Sequence, residues 1–254
     1  MAIETTGPPR ASERRPQRIP TWFKVAYTGF VAVLVPYYWV NYSPWNFLYF
    51  CDVALLLGAV ALWAESPLLA SLPAVGIVLP QLLWAFDFLT GSRITGMTAY
   101  MFDPGRPILV RGLSLFHGWL PFVLAWMVWR LGYDRRAFAG WTIVSGVVLP
   151  ASFFLAPAPP PPLEHPGYAV NINYVHGLDD QAAQTIMAPL LWLGIMLVGF
   201  PLVFYLPAHL VFSKWFPARV TAPEAEGDLA DGTTPDRRAR AARPADPPRG
   251  GGSP

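Results

Sequence analysis

The sequence predicts an all-α, polytopic membrane protein, a bundle of six transmembrane helices, and three observations predict it. Only 13% of the 254 residues are charged and 54% are hydrophobic, about half the charge a soluble domain carries. The charges are displaced to the ends, with 7 in residues 1–24, 7 in 25–129, 7 in 130–212 and 13 in 213–254. Between the ends run apolar stretches long enough for a bilayer crossing of about 20 residues.

The six segments are 25–41, 46–64, 67–89, 113–129, 137–156 and 185–212. The first carries Pro36 and closes on Tyr37, Tyr38 and Trp39, rings suited to the headgroup level. The second follows a short aromatic connection, and the third holds Pro73 and Pro80. Pro121 and Pro150 sit in the fourth and fifth, and Pro189, Pro201 and Pro207 in the sixth. These prolines would break helices in water but kink membrane helices, whose freed carbonyls are satisfied by neighbours. Residues 1–21 form a polar tail, 22–212 the transmembrane domain, and 213–254 a Pro-, Gly- and charge-rich tail too poor in large apolar residues to fold.

Lys and Arg set the orientation. With the N-terminus inside, 15 of the 18 fall on the inner side, and only Arg93, Arg106 and Arg111 on the outer, so both termini are expected in the cytoplasm of a multi-pass cell-membrane protein. The first segment lacks an A-x-A cleavage site and is read as retained. The net charge of +2 gives no basis for nucleic-acid binding, and the single cysteine excludes an intrachain disulfide framework and a Cys-based zinc site. No cofactor or metal motif is present; membrane lipids are the implied partners, and the C-terminal tail is open to a cytoplasmic partner.

On this topology the polar residues of the spans share one depth. Cys51 and Asp52 lie about 8 to 9 Å below the outer boundary at 1.5 Å per residue, and Asp87 and His117 within roughly a turn of it. The loop with Asn171, Asn173 and His176 lies on the same side. Ionisable groups in spans are costly and mark sites by default. A Cys with a His base is a nucleophile for acyl transfer, so Cys51 and His117 are the candidate pair. Asp52 or Asp87 would orient the imidazole, and Asn171 or Asn173 would polarise a carbonyl. Asp52, Asp87 and His117 serve equally as a proton- or cation-coupled site in a non-enzymatic transporter or binding protein. In a scaffold, the same layer would be interhelical glue, the role also read for Gln81.

The runs NFLYFCDVALLL at 46–57, LFHGWLPFVLAW at 115–126 and NINYVHG at 171–177 resemble the bacterial YwaF-like integral membrane proteins, over roughly residues 35–210. That family is distantly similar to a eukaryotic transmembrane acyltransferase that remodels ether phospholipids and to androgen-induced-gene type lipid hydrolases. The resemblance implies Cys51 as nucleophile and His117 as general base; Tyr49 stands where the family has a His. Lipid acyl transfer or lipid-ester hydrolysis from an outer-leaflet cavity is what it implies for activity.

Overall fold

The computed structural model describes residues 19–165 and 167–216; most of the two polar tails expected at 1–21 and 213–254 lies outside them. Among the described residues the regular structure is entirely helical. The chain runs through α1 (Thr21–Tyr42), α2 (Phe50–Ala64), α3 (Pro67–Leu89), α4 (Ile108–Ser114), α5 (Phe116–Leu131), α6 (Ala137–Leu155), α7 (Pro189–Phe200) and α8 (Leu206–Trp215). Among the described residues, five helices are long and apolar enough to cross a membrane: α1, α3, α4 with α5, α6, and α7 with α8. α2 is the shorter sixth. These helices suit an integral membrane protein, with six segments where the hydropathy predicts them.

Four segments depart from the expected bounds, and the first begins at Thr21 instead of 25. The second segment starts at Phe50 instead of 46, because Pro44–Leu48 form a separate 3-10 turn. The first backbone N–H of α2 is capped by the side chain of Asn173, 123 residues away, at 2.9 Å; no local pattern announces such a cap. Cys51 and Asp52 therefore occupy the first turn of α2, nearer the boundary than a start at 46 implies. The fourth segment begins at Ile108 and breaks at Leu115 between α4 and α5, which puts Arg111 in the last turn of a helix instead of a loop. The sixth runs 189–215, through a π-helical turn at Pro201–Tyr205. Pro207 explains that turn: its ring collides with the carbonyl four residues back, and one wider turn makes room.

Connections alternate between two kinds. One end of the bundle has the short turns at 65–66 and 132–136 and both helix termini, Thr21 and Trp215; the other has the long loops 43–49, 90–107 and 156–188. At the short-turn end Lys24 pairs with Glu65 at 2.6 Å, Asp134 takes a backbone bond to Ser71, and Tyr133 joins α8 through its N–H to the Phe216 carbonyl and its hydroxyl to His209, 2.8 Å apart.

α3 is the central helix and packs on α2, α5, α6 and α8. Its sequence explains why: Ala70, Ser71, Ala74 and Gly76 are small and buried, letting neighbouring backbones come close in a medium where packing replaces the hydrophobic effect as the driving force. At Gly76 the fully buried Trp141 of α6 lies so near that a Cβ would collide with its indole ring. Across the bundle α1 and α5 mesh through aromatic edges, Phe23 on Trp126 at 5.0 Å and Phe30 on Trp119 at 5.1 Å. α7 with α8 is the least covered span.

Candidate functional site

The polar residues gather at the long-loop end, where α2 begins. Asp52 is buried, 2% exposed, in the first helical turn, where the helix dipole favours an anion. Its Oδ2 accepts from the Asn46 amide at 3.0 Å and from the Cys51 thiol at 3.8 Å; its Oδ1 is buried with no partner among the described residues. Cys51 is half-buried. Beside this group Tyr38 and Ser114 share a hydroxyl contact of 3.3 Å. Tyr38, Tyr49 and Tyr100 crowd within electrostatic range of Cys51 or Asp52.

His117 is held elsewhere. Its Nδ1 donates to the Ser114 carbonyl at 2.8 Å, and its ring stacks on Trp84 at 5.1 Å. No hydrogen bond joins it to Cys51 or to either aspartate. Ser114 and Tyr38 stand between it and the Asp52 group, so the expected thiol–imidazole pair is not hydrogen-bonded in this conformation.

The two span aspartates differ sharply. Asp87, fully buried at the end of α3, gathers the following loop: its carboxylate accepts from the backbone N–H of Thr95 at 2.7 Å, Ile94 at 3.0 Å and Thr98 at 3.1 Å. The Thr98 hydroxyl adds 2.6 Å and Ser92 3.3 Å. This is a folding role that satisfies a buried anion completely. Asp52 has one amide and one weak thiol donor for the same charge. Gln81 adds a second unmet need. It is 2% exposed and neither end of its amide has a partner among the described residues, so no interhelical bond makes it the glue the sequence suggested. Counting from the turn at 65–66, Asp52 and Gln81 stand about 20 and 22 Å along their antiparallel helices, hence at one depth.

The loop residues are organisers. The Asn173 amide is spent on α2's first N–H, on the Leu48 carbonyl at 2.8 Å and on Ser152 at 3.4 Å. Asn171 holds the next turn, donating to the Gly177 carbonyl at 2.9 Å and accepting from the His176 N–H at 2.8 Å. Both adopt left-handed backbone, which Asn tolerates and which their side-chain bonds fix. Tyr174 adopts it too, at φ 62°, where a bulky residue is strained; its carbonyl is held by the Trp192 indole at 2.9 Å. His176 lies on Phe153 at 4.9 Å, and burial lowers its pKa. Burial, with Asp180 and Cys51 nearby, pushes the Tyr174 phenol up to about 12.

Sequence reasoning missed Asn46, Ser114 and Tyr100, and read Tyr38 only as a ring closing the first segment. Asn46 was the most accessible of them, six residues before Asp52 across an aromatic turn. Among the described residues no group of three or more His, Cys, Asp or Glu is arranged to hold a metal ion. Comparison of the chain with protein-family models, curated proteins and solved structures gives no match.

Proposed function

We propose that this integral membrane protein binds a proton or a small cation at Asp52, as part of a binding or transport function. One observation carries the reading: Asp52 is as buried as Asp87, yet its second oxygen has no donor among the described residues. A carboxylate so placed in hydrocarbon is costly, and a proton or small cation on Oδ1 removes that cost. Gln81, at the same depth, supplies a carbonyl and an amide that no other described residue uses. Purified protein in lipid nanodiscs tests this by infrared spectroscopy and by thermal unfolding in sodium, potassium and choline chloride. The expected result is a protonated-carboxyl band, or an alkali-cation-dependent unfolding midpoint, that disappears in Asp52→Asn and persists in Asp87→Asn. Wild type and Asp52→Asn behaving alike in both measurements would overturn it.

A second reading keeps the YwaF-like resemblance and acyl transfer. It is favoured by the half-buried Cys51 thiol, 3.8 Å from Asp52 Oδ2, so that a carboxylate can stand in for the imidazole. The sulfur would attack a lipid ester, its proton passing through Asp52 to the departing lipid alcohol and leaving an acyl thioester. Labelling by a thioester-forming lipid probe should then be lost in Cys51→Ala and kept in His117→Ala. On either reading the short-turn end, bearing Lys24, Arg130, Arg135, Arg136 and Lys214, faces the cytoplasm of the cell membrane; reporters fused to either terminus should be active only inside.

A further inference from the structure

The sixth span carries a feature that neither reading uses. A groove of about 270 Å³ runs along α7 into the π-helical turn. Its almost wholly apolar lining includes Tyr174, Leu178, Trp192, Gly199, Phe200 and Val203. Two local causes make it. Gly199 has no side chain, and a Cβ there would meet nothing within 4 Å; the wide turn after Pro201 displaces the next residues. Trp192 is pinned at the upper end by its bond to the Tyr174 carbonyl. The groove opens sideways on a helix whose Leu191, Ile195, Val198 and Leu202 are exposed, a surface turned to acyl chains.

Acidic residues adjoin the lining in the chain. Leu178, in the lining, is followed directly by Asp179 and Asp180, both exposed. Asp180 lies within electrostatic range of Tyr174. Asp179 accepts from the Gln181 N–H at 2.8 Å and Asp180 from the Asn171 amide at 3.2 Å. Neither meets a basic side chain among the described residues. Partial burial raises the Asp180 pKa, the Asn171 amide opposes that shift, and the neighbouring Asp179 charge adds to it. An apolar slot on a span, with an acidic pair that meets no basic side chain in the loop leading into that span, fits one kind of occupant.

We propose that this groove holds a phospholipid of the leaflet on the long-loop side, one acyl chain lying along α7 and an ammonium headgroup against Asp179 and Asp180. The lipid is a retained ligand of the fold and not a reactant, and the inference stands apart from either function above. Full-length protein in vesicles of mixed phosphatidylethanolamine and phosphatidylglycerol, doped with a phosphatidylethanolamine carrying a photoreactive chain, tests it. Labelling should map to α7 and the 174–178 loop, and an excess of unlabelled phosphatidylethanolamine should compete better than phosphatidylglycerol. Gly199→Leu, which fills open space, should abolish the label without lowering the unfolding midpoint; should that variant not fold, Val203→Trp, at an exposed position, replaces it. Asp179→Asn with Asp180→Asn should leave the label but reduce the headgroup preference by about three- to five-fold, the scale of an exposed ion pair. Labelling unchanged in the filled variant, no headgroup preference, or crosslinks joining two copies through α7 would each overturn the proposal.

Discussion

Two aspartates at the same end of the bundle have opposite relations to their surroundings, and substitution should separate them. Asp87→Ala removes the acceptor of the Ile94 and Thr95 amides and strands the buried Thr98 amide and hydroxyl, so it should clearly lower the unfolding midpoint in denaturing detergent. Asp52→Asn removes a charge with few donors and should cost far less, or stabilise the protein. Asp134, in the turn before α6, behaves conventionally. The Arg136 guanidinium, at 2.7 Å, holds its carboxyl below the usual range. The unfolded chain therefore takes up the proton first, and the stabilisation is present above the ordinary carboxylate pKa and lost as pH falls through the lowered one. Asp134→Asn should flatten the acid limb of the unfolding midpoint between about pH 5 and pH 2. The positions of Asp52 and Asp87 were legible in the sequence, because a carboxylate inside an apolar run is conspicuous. Their difference was not, since it depends on which loop amides fold back onto which carboxylate.

Among the helices, α3 shows how small residues become architecture. Gly76→Ala places a methyl group inside the Trp141 ring and should separate α3 from α6, destabilising by at least the 1–3 kcal/mol typical of overpacking. Gly146→Ala, also helical but facing open space, should be neutral or slightly stabilising. Hydropathy located all six segments, because a bilayer demands length and low charge from each. It misplaced the start of α2, where a turn intervenes and the cap comes from Asn173. It also misplaced the start of the fourth segment, where the helix carries Arg111 beyond the apolar run. Both errors sit where polar side chains replace hydrocarbon as the determinant of structure.

For the molecule as a whole, coverage is graded from the centre outward: 56% of the apolar window of α3 is buried inside the bundle against 17% for α7 with α8. Hydrogen exchange in nanodiscs should follow that gradient, with amides of α3 protected longest and those of α7 shortest among the spans. Exchange that is fastest in α3 would contradict the packing order. The same gradient explains why Tyr133, bonded to both His209 and Phe216, matters: it ties the least covered span to the turn between α5 and α6.

Asn173 closes the start of α2 from the far side of the sequence, and time enters through that bond. During synthesis the first five segments leave the ribosome before residue 173 does. Until then the first N–H of α2 lacks the Asn173 oxygen and the Leu48 carbonyl lacks the Asn173 amide. The acidic centre is thus finished late, by a residue belonging to the last long loop. A chain stopped after α6 would carry Cys51, Asp52 and Asn46 and still lack the completed site, so in biogenesis the centre's assembly reports that the last loop has arrived.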